Sequence, residues 1–236
     1  MMKSLFYWLF ALSPALAGAE VLRIMPLGDS LTAGGYNLNG QWFEGPGYRS
    51  RLEELLDNAQ CPFEFVGSQG TKASDLREKN HEGHSGWKID QLRNISPQIS
   101  SHRPDLILLM IGTNDVFQND QVDQAPRRFM RLVNDLLRSL PEVKIVVGTI
   151  LKSSSPFANQ TMTTYNRQIA DLVRAHPGYR KSLFVSDIRN TSRIEANNND
   201  MTDGVHPSAA GYDKLGAAWF EAIAQLPLLS QACRNL

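Results

Sequence analysis

Short apolar runs alternate along the chain with longer stretches in which apolar residues recur at helical spacing, the pattern of parallel strands joined by crossover helices. The runs occupy residues 21–27, 63–66, 106–111, 143–150 and 183–185. The third reads Leu-Ile-Leu-Leu-Met-Ile without in/out alternation, which predicts a central strand covered on both faces. Between the runs, Tyr48, Leu52, Leu55 and Leu56 share a helical face, as do Phe129, Leu132, Val133, Leu136 and Leu137. Segments 87–99 and 165–173 predict two further helices, and Ser208 caps a last one carrying Leu215, Trp219, Phe220 and Ile223. Five strands with covering helices make a doubly wound three-layer α/β/α sandwich. The polar stretches 152–160 and 197–202 read as surface loops, and no internal repeat is visible.

The amino-terminal pattern is different. Lys3 precedes an apolar run from Leu5 to Leu12, and the small residues Ala15, Ala17 and Ala19 follow, so residues 1–19 read as a signal peptide. The run is too short to span a bilayer. The expectation is therefore an exported protein, extracellular or periplasmic, with a single domain over residues 20–236. That domain carries 23 basic and 24 acidic residues, a formal charge of −1, so nothing electrostatic recommends nucleic acid as a partner. No membrane partner is indicated, and a monomer is expected. Cys61 and Cys233 are the only cysteines, and in an exported protein an even pair reads as a disulfide, with two buried thiols as the alternative. Asn94, Asn159 and Asn190 head glycosylation sequons, which matter only in a host that glycosylates.

In an open parallel sheet, ligands sit beyond the carboxyl ends of the strands. Gly28-Asp29-Ser30 follows the first run directly, and Gly83 lies in the loop after the second. Gly112-Thr113-Asn114-Asp115 follows the third, and Asp203-Gly204-Val205-His206 comes after the fifth. A serine hydroxyl needs a positioned imidazole to take its proton, and that imidazole needs a third group to fix its tautomer. Ser30, His206 and Asp203 suit those three roles. The oxyanion of an acyl-transfer intermediate also needs donors, which the backbone N–H groups of Ser30 and Gly83 and the side-chain amide of Asn114 can supply. Other site readings fit less well. The Gly-x-Ser-x-Gly elbow is absent, because Gly83-His84-Ser85-Gly86 brings its second glycine one position early. His81 and His84 stand three apart around a glycine rather than four apart on a helix, so zinc is not expected. Met201 spoils Asn199, Met201 and Asp203 as a calcium loop.

With Ser30, Gly83, Asn114 and His206 in that order, the sequence resembles the GDSL, or SGNH, hydrolases from Val21 to about Trp219. Ile24-Met25-Pro26-Leu27-Gly28-Asp29-Ser30, Phe65-Val66-Gly67-Ser68, His81-Glu82-Gly83-His84-Ser85-Gly86-Trp87 and Asp203-Gly204-Val205-His206-Pro207 are similar to the acetyl xylan esterases of carbohydrate esterase family three. The resemblance implies a flavodoxin-like five-stranded sheet, ester hydrolysis through an acyl-enzyme and no cofactor.

The loops expected to ring the site are mostly polar, which favours a small acyl group over a lipid chain. Trp42, Phe43, Trp87 and Phe117 lie in or beside those loops and offer rings to sugars, although Trp87 equally suits a core anchor. The leading expectation is removal of O-acetyl groups from xylan or a related polysaccharide. A lysophospholipase or thioesterase on the same fold is the alternative within catalysis, and a carbohydrate-binding protein with a vestigial triad is the alternative outside it.

Overall fold

A computed structural model describes residues 21–71, 76–197 and 199–234. The signal peptide read over residues 1–19 lies outside the described residues. The strands, in chain order, are β1 (Leu22–Gly28), β2 (Gly35–Leu38), β3 (Gln41–Glu44), β4 (Phe63–Phe65), β5 (Gln69–Gly70), β6 (Asn80–Gly83), β7 (Leu106–Met110), β8 (Lys144–Gly148) and β9 (Leu183–Ser186). Each of the five apolar runs contains one strand of the main sheet.

One edge of β1 is covered by β7. The other edge is shared: β4 pairs with Leu22 to Ile24, and β6 pairs with Leu27 and Gly28. The second sheet position is thus built from two pieces, and β8 and β9 extend the sheet in parallel on the far side. The two-residue β5 adds a short antiparallel edge outside β6, so the sheet is not the wholly parallel one expected. With β5 set aside and β4 and β6 counted as one position, the order is the flavodoxin-like 2-1-3-4-5, whose topological switch point lies between β1 and β7. The chain moves outward from β1 in both directions, and right-handed crossovers then place the two groups of helices on opposite faces. The helices Arg49–Asn58 and Ala209–Ala224 pack together in one layer, while Ile89–Asn94, Ala125–Ser139 and Pro156–Ala175 form the other. All five side chains of β7 are fully buried, and burial of a side chain of this size contributes about 1.5–3 kcal/mol. Ser208 caps Ala209–Ala224 by accepting the Gly211 amide at 3.2 Å.

Several elements depart from the pattern read in the sequence. Gly83 belongs to a strand rather than to a loop, in register with Gly28 across the parallel pair. Asn-His-Glu-Gly has no apolar signature, because polar bonding rather than hydrophobic contact holds β6. The helix expected over 87–99 is two helices, Ile89–Asn94 and Ser96–Ser101, since Pro97 has no amide hydrogen to continue the first. Part of the expected loop 152–160 is helical: Ser155 accepts the Ala158 amide and Pro156 opens the helix Pro156–Ala175. The β2–β3 hairpin was not anticipated, although its turn, Asn39-Gly40, has both residues at positive φ (53° and 81°), the strongest short hairpin signal a sequence carries. Cys61, just before β4, is joined to Cys233, just after the helix Pro227–Ala232, in a disulfide.

Candidate active site

Gly28 is the hub of the rim, because it is in register with Gly83 on one side and Met110 on the other. The residues that follow these three positions therefore converge. Ser30 opens a four-residue helical turn, Ser30–Ala33, and is 5% exposed. Its Oγ lies 2.9 Å from His206 Nε2. On the other side of the ring, His206 Nδ1 lies 2.8 Å from Asp203 Oδ2 and 3.1 Å from Oδ1. Gly204 at φ 78° closes the turn between them, so Asp203 Oδ1 also accepts the backbone amides of Val205 and His206, at 3.0 and 2.8 Å. Burial works against the Asp203 charge, yet the bonds from the His206 backbone and ring and from Val205 hold its carboxyl below the ordinary range. A hydroxyl, an imidazole and a carboxylate in series form an arrangement through which the hydroxyl proton can move onto the ring.

Gly83 and Asn114 reach the same rim with their donors already engaged. The Gly83 N–H donates to His81 Nδ1 at 3.1 Å. Burial, aided by the Arg49 charge, lowers the His81 ring to about 3, so it is a neutral acceptor. No side chain fits at Gly83, where a Cβ would stand 2.4 Å from the Ala33 nitrogen of the Ser30 turn. The Asn114 amide donates one hydrogen to the Trp87 carbonyl at 2.9 Å, which aims the group and leaves its second hydrogen free of that bond. Asp115, next in sequence, accepts the Ile89 amide at 3.2 Å and pairs with Arg128 at 2.9 Å, so the short helix Thr113–Phe117 is bound to the Trp87 segment at two points, through Asn114 and Asp115.

A polar framework that the sequence did not announce surrounds these residues. Arg49 is fully buried with no carboxylate partner among the described residues, and burial lowers its guanidinium to about 10, where it keeps its charge at neutral pH. It donates to the Ala33, Gly45 and Lys79 carbonyls and to Thr71 Oγ1, tying the Ser30 turn to the hairpin and to the segment before β6. Glu82 accepts the Ser68 amide and hydroxyl at 2.6 and 2.8 Å and pairs with His84 at 2.7 Å. His84 in turn stacks on Trp87 with 3.9 Å between ring centroids. Trp87 also packs on the core, the second of the two roles offered to it by the sequence. Among the described residues no group of three or more His, Cys, Asp or Glu could hold a metal. Asp29, beside the serine, accepts the Leu31 amide at 3.0 Å, and burial pushes its carboxyl up to about 7.

Of Trp42, Phe43 and Phe117, Trp42 contacts a residue of the site. Trp42, 44% exposed, reaches from the hairpin and meets the His206 ring edge-to-face with centroids 4.7 Å apart. Phe43 and Phe117 are exposed, and so is Phe157, at 81%, in the segment expected to be polar loop.

Comparison with known proteins identifies the family. The model of the GDSL-like lipase/acylhydrolase family matches residues 27–214. A family 3 carbohydrate esterase of Clostridium thermocellum is 30% identical, with a TM-score of 0.76 over 90% of this chain and 100% of that one. A family 3 carbohydrate esterase of Talaromyces cellulolyticus, at 24% identity and a TM-score of 0.72 over 87% and 98% of the two chains, shares the fold. The multidomain esterase of Ruminococcus flavefaciens is 32% identical over 88% of this chain, which spans only 29% of that curated relative. The chain belongs to the GDSL-like lipase/acylhydrolase family, a family of carboxylic ester hydrolases.

Proposed function

We propose that this chain is an exported serine esterase that removes acetyl groups from xylan or a related polysaccharide. The observation that carries the reading is the unbroken series from Ser30 Oγ through the His206 ring to Asp203. Ser30 Oγ attacks the ester carbonyl carbon while His206 Nε2 takes the hydroxyl proton, and the Asp203 carboxylate stabilises the imidazolium that forms. The carbonyl electrons move onto oxygen, where the Ser30 N–H, the free hydrogen of Asn114 and the Gly83 N–H are the candidate donors. Collapse breaks the bond from the carbonyl carbon to the sugar oxygen, which takes the proton from His206 and departs as a hydroxyl, leaving an acetyl-serine. Water then repeats the sequence with His206 as base, releasing acetate and restoring Ser30.

The carbohydrate substrate is supported by the 30% identity to the Clostridium thermocellum carbohydrate esterase along essentially its whole length. A small acyl group is supported by Trp42, whose indole lies against His206 and takes up space beside the nucleophile that an extended chain would need. The disulfide suits an exported protein.

The test is acyl-chain preference followed by polymer hydrolysis. Each methylene that can be buried favours binding by about 0.8 kcal/mol, so a lipid esterase gains with chain length and a closed site does not. The reading expects p-nitrophenyl acetate to be cleaved faster than butyrate or octanoate, and acetate to be released from acetylated xylan. Faster cleavage of octanoate together with inertness towards acetylated glycans would move the chain to the lysophospholipase or thioesterase reading.

A further inference from the structure

The β2–β3 hairpin has two faces, and only one of them looks at Ser30. In an antiparallel pair, residues opposite one another point to the same side. Trp42 is opposite Asn37 and Glu44 is opposite Gly35. This face carries the indole against His206 and the Glu44 bond to Ser85. Tyr36 is opposite Phe43 and stacks on it at 5.5 Å, and Leu38 shares that second face. The second face lines a cleft of about 510 Å³ whose other walls are the first turns of Arg49–Asn58 and Ala209–Ala224. Its volume lies within the roughly 300–1,000 Å³ typical of small-molecule sites.

We propose that this cleft is a second carbohydrate subsite, which holds a sugar segment of the polymer while another segment is deacetylated at Ser30. The inference rests on the polysaccharide reading above. Three features point to an uncharged sugar. Tyr36, half-buried, offers an aromatic face of the kind on which pyranose C–H groups stack, with Leu38 exposed on the same face of the hairpin, and the exposed Ser50 sets a hydroxyl across from them. The open end holds two carboxylates against one guanidinium, with Arg51 paired to Glu54 at 2.7 Å and 3.7 Å from Asp213, which offers acceptors for sugar hydroxyls and repels an anion. Thr202 and Pro207 bracket the Asp203–His206 turn, so cleft and catalytic rim share a wall. An acyl chain is the poorer occupant, because the hairpin and Trp42 stand between the cleft and the carbonyl that such a chain would have to carry to Ser30. The Tyr212 hydroxyl donates to the Gly35 carbonyl at 2.7 Å and Asn37 donates to Thr202 at 3.2 Å, so the hairpin wall is fixed at both ends of β2.

The test is to plug the cleft at Ser50, an exposed helix residue on its wall and outside the triad. The Ser50→Trp variant is expected to raise KM for acetylated xylan at least fivefold while kcat/KM for p-nitrophenyl acetate stays within twofold of wild type. Independently, unacetylated xylohexaose added to wild-type protein is expected to shift the backbone amide resonances of Leu38, Ser50 and Ala209, and to leave them unmoved in Ser50→Trp. Absence of those shifts at millimolar xylohexaose overturns the proposal, as does an unchanged KM for xylan. Equal loss on p-nitrophenyl acetate also overturns it, since the plug would then act through the hairpin on His206. So does a KM increase confined to p-nitrophenyl octanoate, which would make the cleft an acyl site. Wild-type protein inert towards acetylated xylan would count against the polysaccharide reading itself, and the resonance shifts would still decide whether the cleft takes sugar.

Discussion

On one side of Ser30 the groups form a closed series: hydroxyl to imidazole at 2.9 Å, imidazole to carboxylate at 2.8 Å, carboxylate to two backbone amides. On the other side, Gly83 and Asn114 arrive with hydrogens already given to His81 and to the Trp87 carbonyl. In the proposed mechanism, the difference follows from when each side is needed. A proton relay must be in line before the attack begins, so its bonds are made in the resting protein. An oxyanion exists only after attack, and until then its donors have no charge to meet. A buried N–H left without any acceptor would cost about 1–3 kcal/mol, so Gly83 holds a neutral imidazole in the meantime. Asn114 avoids the conflict by having two hydrogens, one for aiming and one for use.

If the free hydrogen of Asn114 is the main oxyanion donor, Asn114→Ala should lower kcat by about 10²–10³, with KM little changed. Steady-state kinetics on p-nitrophenyl acetate checks this, and an effect confined to KM would make Asn114 a substrate-binding residue instead. His81→Phe should have a smaller effect. It removes the acceptor for the Gly83 N–H and should reduce stability by about 1–3 kcal/mol in denaturant unfolding, while kcat stays within tenfold of wild type. The buried His81 ring stays neutral down to about pH 3, while an unfolded histidine is protonated below about 6.5, so the wild type loses up to about 1.4 kcal/mol per pH unit as pH falls through that range. The stability difference should therefore be flat only above about pH 7.5 and should shrink below about 6.5. A kcat loss as large as that of Asn114→Ala would show that the imidazole orients the Gly83 donor, and would erase the contrast drawn between the two donors.

The same contrast explains what could be read in the sequence. The strands β1, β7 and β8 were visible because burial on both faces demands unbroken apolar runs, and these runs fix where Ser30 and Asn114 emerge. The turn from Asp203 to His206 was visible because its chemistry is local, three residues around a glycine. β6 was not visible as a strand. His81 and Glu82 are buried through hydrogen bonds to Gly83, Ser68 and His84, and a polar tetrapeptide gives hydropathy nothing to detect. Arg49 was equally hidden, since its acceptors are mostly backbone carbonyls, which every sequence has. The hairpin carrying Trp42 could have been read from Asn39-Gly40, and Phe157 from the Ser155-Pro156 helix start beside it. What escaped is largely the polar scaffold around the oxyanion side, where long-range partners decide the structure.

The central claim is that Ser30 becomes acylated through His206, and covalent trapping at Ser30 tests it most directly. Wild-type protein would be treated with a p-nitrophenyl alkylphosphonate, which transfers its phosphonyl group to an activated serine, and then digested and mapped by mass spectrometry. The account predicts one phosphonyl group per chain on the peptide containing Ser30, loss of esterase activity in proportion to labelling, and neither labelling nor more than a trace of turnover in Ser30→Ala, which should fold normally because only one oxygen is removed. Labelling at another serine, or a Ser30→Ala protein that still cleaves p-nitrophenyl acetate, would contradict it.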